Sequence, residues 1–403
     1  MRIDKKQRLN QIRQFLAPYE GIFTREILDF YPESLSSYPK AWIEALQQLS
    51  PTDLFHFDSR KFQPQNLPND LLEWWQKLSE LTTFPEIKRK EFTYDDWTWS
   101  KVTAKKKHEL TKMISVVQTL TDEAPTQIID LCAGMGHMSR LLSGHHQHQC
   151  TVVDFDQELL QKGSERLKKH PLPYPPNVQF IKKDVLKDDL NELFRPHQFS
   201  LALHNCGGLS IKHLELIKKH PQHHFINVGC CYYKMSVQGH TNLSSYAQEL
   251  NLPWTSIALY LSTRAHYQQD INDFETKIQV KKFRYTFHLL LQKMGVNIKA
   301  VGEVPVRLYR GFFSDYALLK LSEHRVPHHY SVTDLEDFFI DQQIQNKVWE
   351  MILANLIRWQ LGRVLETYLI LDRALWLEES GIECEVAQIF NEQISPRNLA
   401  IIG

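Results

Sequence analysis

The run Ile129-Asp130-Leu131-Cys132-Ala133-Gly134-Met135-Gly136-His137-Met138-Ser139 passes from a short apolar strand, through two glycines, into a helix. Gly134 and Gly136 permit a turn so tight that backbone rather than side chain faces a ligand. A lone GxG is common in strand–helix turns, but here acids follow it. Asp156 closes the next predicted strand 20 residues after Gly136, where a carboxylate accepts both hydrogen bonds of a ribose diol. Asp154, on the same strand, competes for that role. Asp184 ends the third strand, FIKKDV, where an acid can receive an adenine amino group. A dinucleotide loop reads GxGxxG, so that pyrophosphate meets a helix N-terminus. In this loop Ser139 replaces the third glycine and Asp130 precedes the first. A carboxylate at that point repels pyrophosphate and suits the ammonium of a methionine moiety, which favours S-adenosylmethionine over NAD.

The flanking pattern extends this unit in both directions. KKKHELTKMISVVQTLTDE reads as an amphipathic helix before the first strand. CTVVDFD, NVQFIKKDV, FSLALHNC and HHFINVGCC read as further strands, separated by helical segments such as QELLQKGSERLKKH. Strands alternating with helices predict an α/β, doubly wound Rossmann-like sheet. A helix over roughly 346–379 stops at Gly381, as a helix C-terminus does. ECEVAQIF and PRNLAIIG then form a terminal antiparallel hairpin, for seven strands in all. The expected organisation is a helical N-terminal region over 1–95 and a Rossmann-like core over 96–236. A mainly helical insertion follows over 237–345, with strand-like pieces such as DYALLKL, and 346–403 completes the core. Trp74 and Trp75 in the N-terminal region read as core residues, and HHQHQ at 145–149 reads as a polar turn.

Composition narrows the function classes. The chain has 403 residues, 47 basic and 47 acidic, and so no net charge. That balance argues against non-specific coating of nucleic acid, which needs a basic surface. No apolar run reaches the roughly 18 residues of a membrane span, and MRIDKKQRLNQIRQF lacks the apolar stretch of a secretory signal. Six scattered cysteines without a CxxC pair read as reduced cytoplasmic thiols. No structural metal is expected, although Cys206, Cys230, Cys231 and a histidine are weighed as a zinc set. Nothing in the sequence speaks to oligomeric state.

In this sheet type, ligands gather at the carboxyl ends of the strands. There the fourth strand presents His204, Asn205, Cys206, Gly207 and Gly208, and the fifth presents Cys230, Cys231, Tyr232 and Tyr233. His204, Cys206, Cys230 and Tyr232 are the catalytic candidates. Adjacent strand residues face opposite ways, so Cys230 and Cys231 diverge unless the strand has already ended. HNCG lacks the two prolines of the Asn/Asp-Pro-Pro-Tyr element that orients a target nitrogen in many nucleic-acid amino methyltransferases.

At these residues the sequence resembles a class I S-adenosylmethionine-dependent methyltransferase. More narrowly it is similar to the methyltransferase-like protein 25 family, which includes proteins named for a ribosomal RNA adenine dimethylase domain. TAKKKHELTKM, DLCAGMGHMSR, LHNCGGLS with NVGCCYYKMS, and LETYLILDRALWLEESG with ISPRNLAIIG carry the resemblance. Gly208 departs from it, standing where relatives tend to carry an acid. The resemblance implies that Lys105, Lys106 and His108 approach the methionine carboxylate or pocket mouth. It implies that Asp130, Gly134 and Gly136 form the cradle, Asp156 meets the ribose, Asp184 and Val185 meet the adenine, and His204 lies at the cofactor. The implied activity is methyl transfer from S-adenosylmethionine to a macromolecular acceptor, RNA or protein. The alternative is a non-catalytic S-adenosylmethionine-binding protein serving assembly or sensing. Asp372, Arg373, Arg397 and Asn398 in the C-terminal signature read as structural.

Overall fold

The computed structural model describes residues 3–28, 31–60, 67–87, 89–100, 102–169, 172–264, 270–298 and 301–403. Seven strands form one sheet: β1 Gln127–Leu131, β2 Gln149–Asp154, β3 Asn177–Lys182, β4 Phe199–Cys206, β5 His224–Cys230, β6 Glu385–Gln388 and β7 Leu399–Ile402. Their order is β3-β2-β1-β4-β5-β7-β6. β1 to β5 are parallel, and β7 runs antiparallel between β5 and β6. The chain therefore reverses direction across the sheet at β1, so the ends of β1 and β4 flank the point where such folds bind ligands.

The sequence explains the layers. Helix Ala104–Leu120 puts Leu110, Met113, Ile114 and Val117 on one stripe, the spacing of a helix that buries one face. That stripe packs in one core with Met138, Leu141 and Leu142 of helix His137–His146 and with Ile128, Ile226, Val228 and Ile402 of the sheet. Thr103 caps the first of these helices, its hydroxyl accepting from Lys106 N at 3.3 Å. The last helix, Gln342–Glu378, is 37 residues long and is buried on all sides through its middle. Among the described residues no helix is long and apolar enough to cross a membrane.

The chain divides into two compact units, one of residues 1–16, 80–265 and 363–403, the other of residues 17–79 and 266–362. These boundaries differ from those expected. Residues 1–16 join the sheet unit because Lys5 Nζ donates to Cys384 O at 2.9 Å. Residues 80–95 join it because Gln388 N donates to Pro85 O at 3.0 Å. Residues 237–265 join it through Asp372, which accepts from Leu243 N at 2.7 Å and Ser244 N at 2.8 Å. Residues 346–362 belong to the other unit, where Arg358 Nε donates to Ile22 O at 3.1 Å and Gln360 Nε2 to Phe57 O at 3.3 Å.

That second unit has its own core of Phe283, Phe287, Phe313, Tyr316, Ala317, Leu321 and Leu335. DYALLKL, expected to be strand-like, lies in helix Phe313–Glu323. Phe313, Tyr316, Ala317 and Leu321 recur three and four apart, and that longer period wins over local β propensity. Trp74 and Trp75 are buried as expected. HHQHQ is more than a polar turn. Helix His137–His146 ends in it, and His148 is fully buried with its Nδ1 accepting from Thr126 N at 3.0 Å.

Candidate active site

The glycine turn follows β1 and is shaped by left-handed backbone at Cys132, Gly134 and Gly136, with φ of 55°, 57° and 64°. The two glycines serve different ends. A Cβ on Gly136 would sit 2.8 Å from Val152 Cγ2, so the helix packs against β2 only without one. A Cβ on Gly134 would meet only Leu159, at 3.7 Å, so the space above this residue is open. Gly134 N donates to Asp154 Oδ2 at 2.8 Å, and Asp154 Oδ1 accepts from Asp156 N at 3.0 Å. Asp154 is thus the bracket between β2 and the turn. Asp130 is fully enclosed and accepts from Ser139 Oγ at 2.8 Å. Burial raises its pKa to about 6, opposed by the Ser139 hydroxyl and the nearby Lys106 ammonium.

β2 closes at Asp154 rather than at Asp156, where the sequence suggested. Asp156 lies beyond β2, and its Oδ1 accepts from Glu158 N at 2.9 Å and Leu159 N at 3.2 Å. It therefore caps helix Gln157–Lys169, and Asp154 is the acid at the strand end. Asp184 is two residues past β3. Its Oδ1 accepts from Leu186 N at 3.0 Å and its Oδ2 pairs with Lys187 Nζ at 3.2 Å; the Leu186 N–H holds its pKa below the usual range. The Val185 side chain is buried, which leaves its backbone as the part available to a ligand. Two exposed apolar residues, Phe155 and Leu186, lie near these acids in sequence, past the ends of the paired strands β2 and β3. They were not singled out from the sequence. An aromatic lodged between two acids at a strand end, in VDFD, was the available signal.

The other half of the edge is built from an imidazole and thiols. The β4–β5 register shifts between Leu203 and Asn205, and His204 occupies the irregularity with φ 62°. This bulge re-aims its ring, and Nε2 lies 2.8 Å from Glu109 Oε1. Glu109 is buried, accepts also from Ser395 Oγ at 2.7 Å, and has Lys105 Nζ at 3.8 Å. Burial raises the Glu109 pKa, but the His204 and Ser395 hydrogen bonds and the Lys106 charge outweigh it, leaving a net lowering. Glu109 was not among the candidates. Its signal was an acid four residues before Met113, inside the apolar stripe of the helix. His108, its neighbour, does not face the turn. Its Nε2 accepts from Asn391 N at 3.1 Å and its ring packs on Phe390, because consecutive helix residues point about 100° apart. The expected cofactor contact by His108 is corrected accordingly.

β5 ends at Cys230, and Cys231 adopts φ 50°. That left-handed turn brings both thiols to one side. Cys206 Sγ lies 3.3 Å from Cys230 Sγ, which lies 3.6 Å from Cys231 Sγ. The Cys230 hydrogen bond lowers the Cys206 pKa to about 5 against burial, with Lys234 and His204 adding to the effect. Cys230 is raised, chiefly by its bond to Cys206, and Cys231 is raised by burial.

Tyr232 cannot act at this edge. It is fully buried, and its hydroxyl donates toward Gly229 O and Glu366 Oε1, each at 3.3 Å. Glu366 in turn pairs with Arg363 at 2.7 Å and Arg397 at 2.8 Å. Tyr232 is therefore a strut beneath the last helix, a correction to its catalytic candidacy. Tyr233 is the exposed member of the pair. Asn205 is 1% exposed, and neither of its amide atoms finds a hydrogen-bond partner among the described residues.

Residues 105–238 match the family model described as a methyltransferase domain. This span holds β1 to β5, the glycine turn and the three thiols. Among solved structures, the crystal structure of the glycopeptide N-methyltransferase MtfA complexed with (S)-adenosyl-L-methionine is 15% identical, covering 28% of this chain and 52% of that chain, with a TM-score of 0.24. A crystal structure of an S-adenosylmethionine-dependent methyltransferase from Clostridium acetobutylicum is 17% identical, covering 37% of this chain and 59% of that chain, with a TM-score of 0.25. The chain thus spans between 52% and 59% of the length of these solved proteins. The seven-stranded α/β sheet expected from the sequence is present, and the domain match supports the expected methyltransferase.

Proposed function

We propose that this chain is an S-adenosylmethionine-dependent methyltransferase acting on a macromolecular acceptor, RNA or protein. The observation that carries the reading is the open backbone at Gly134, with carboxylates at the ends of three adjacent strands, Asp130, Asp154 and Asp184. The residues fit the cofactor. On this reading Asp130 serves the ammonium and Asp154 the ribose diol, while Phe155 and Leu186 offer apolar faces to the adenine beside Asp184 and the Val185 backbone. The narrower kinship to the methyltransferase-like protein 25 family belongs to the same proposal and rests on the sequence motifs.

When bound, S-adenosylmethionine supplies an electrophilic methyl group, and the protein's task is alignment and desolvation of the acceptor. His204 is the proton acceptor that the geometry favours. Glu109 holds its Nε2 side, so Nδ1 is the nitrogen left to take a proton from an acceptor hydroxyl or amine. Six cysteines without a disulfide fit a reducing compartment, and a cytoplasmic site of action is part of the proposal.

Calorimetry with S-adenosylhomocysteine tests the cofactor reading. The intact chain is expected to bind, and Gly134→Asp to lose binding by filling the open space with a charge. Transfer of labelled methyl from S-adenosylmethionine to fractionated RNA or protein identifies the acceptor class, with Gly134→Asp as the control. No binding by a folded, intact chain overturns the proposal. Binding without transfer to either fraction favours the non-catalytic alternative.

A further inference from the structure

Cys206, Cys230 and Cys231 place their three sulfurs within 4.8 Å of one another. We propose that they form a three-thiolate site for a thiophilic divalent cation, zinc being the expected member of that class. A tetrahedral zinc ion with bonds of about 2.3 Å spaces its sulfur ligands about 3.8 Å apart. The observed separations of 3.3 and 3.6 Å reach that spacing by shifts of a few tenths of an ångström.

Two features of the backbone argue that the convergence is built rather than incidental. Strand alternation would send the Cys230 and Cys231 side chains to opposite faces. The left-handed Cys231, a conformation costing roughly 1–2 kcal/mol in a non-glycine residue, turns its thiol back toward the others. Second, Gly207 N donates to Cys230 O at 3.0 Å. A Cβ on Gly207 would lie 2.9 Å from Lys234 O. The segments after β4 and β5 are thereby held together next to Cys206 and Cys230. Simple packing of small polarizable side chains requires neither device.

The surroundings suit a cation with one open position. Cys206 and Cys231 are half-buried, so an ion can reach them, and Cys230 is buried behind. Among the described residues no histidine or carboxylate joins the three sulfurs, which leaves the fourth position to water or to an acceptor atom, the pattern of a catalytic rather than a closed structural zinc site. Each thiol that ligates releases its proton to solvent, giving a site of net charge −1 with zinc. The Lys234 ammonium, whose field reaches both Cys206 and Cys231, offsets that charge. The absence of a CxxC pair hid the site, because its ligands come from the ends of two different strands.

The test uses the full chain, purified under reducing conditions and equilibrated with zinc, then with cadmium. One equivalent of zinc by elemental analysis is expected, together with a near-ultraviolet cadmium–thiolate charge-transfer band. Cys206→Ser, Cys230→Ser and Cys231→Ser should each weaken zinc binding by at least about tenfold and shrink the band. Cys384→Ser should change neither. Far-ultraviolet dichroism and S-adenosylhomocysteine calorimetry on the same samples report folding and the cofactor site separately. A folded chain that binds S-adenosylhomocysteine but takes up no stoichiometric zinc overturns this site and leaves the methyltransferase reading intact. Metal retained in all three serine variants, or a Cys206–Cys230 disulfide found under reducing conditions, also overturns it.

Discussion

The two halves of the sheet's carboxyl edge solve the problem of buried polarity in opposite ways. At the ends of β1, β2 and β3, Asp130, Asp154 and Asp184 each accept hydrogen bonds from nearby groups. Above Gly134 the surface is left open. At the ends of β4 and β5 the backbone is left-handed at His204 and Cys231, the thiols hydrogen-bond to one another, and Asn205 has no partner among the described residues. The first half is a satisfied frame around a space. The second stores strain and unpaired polarity, the condition in which reactive groups are usually held. What keeps the second half in place is the last helix behind it, through Tyr232, Glu366, Arg363 and Arg397.

The bracing can be broken at Glu366. It is fully buried between two guanidinium groups and the Tyr232 hydroxyl. Burial raises its carboxyl pKa, but Arg397 and Arg363 outweigh that and leave it lowered. Glu366→Ala leaves two buried cations unpaired, which should cost roughly 3–5 kcal/mol of stability in denaturant unfolding. A loss below about 1 kcal/mol would show that the cluster does not brace this edge.

The frame is tested by its two competing acids. Asp154→Ala removes the Gly134 tether and the strand-end carboxylate together, and S-adenosylhomocysteine affinity should fall about 10–100-fold. Asp156→Ala removes a helix cap worth about 1 kcal/mol, and it should lower stability while leaving affinity within a few-fold. The reverse ranking would return the ribose role to Asp156.

Asp130 gives the frame a pH signature. Its folded pKa, about 6, lies above the ordinary 3.8. The fold therefore disfavours the ionised form, and this group takes stability away as pH rises from about 4 to about 6. A cationic ligand favours that same form, so binding below pH 6 releases a proton. Affinity for S-adenosylhomocysteine should rise about tenfold between about pH 5 and about pH 7 and level off above. Asp130→Asn should flatten the profile; a profile equally steep in the variant would assign the proton elsewhere.

The frame was far more legible than the strained half. Its acids and glycines recur at intervals set by strand and helix lengths, so spacing alone put Asp130, Gly134 and Gly136 at the turn and Asp184 within two residues of the end of β3. The end of β2 lies two residues before Asp156, where it was expected, because a strand's last acid and a helix's capping acid look alike in VVDFDQE. The other half depended on events that periodicity does not encode. A one-residue bulge re-aims His204, a left-handed residue folds Cys231 back, and a helix distant in sequence claims Tyr232. The burial of Glu109 and the turning away of His108 likewise follow from helix rotation against a neighbour.

Asn205 provides the subtlest test of the contrast. A buried amide with no partner costs about 1–3 kcal/mol in lost hydration, and a fold retaining one for packing alone gains nothing from its polarity. In Asn205→Ala, relief of that penalty offsets the cavity left by truncation, so thermal stability should stay within about 1 kcal/mol of the parent. Methyl transfer should nevertheless fall, because the amide is placed one residue from both His204 and Cys206. A loss of stability above about 2 kcal/mol would mean that the amide has a structural partner, and the β4–β5 edge would then be as satisfied as the acidic frame beside it.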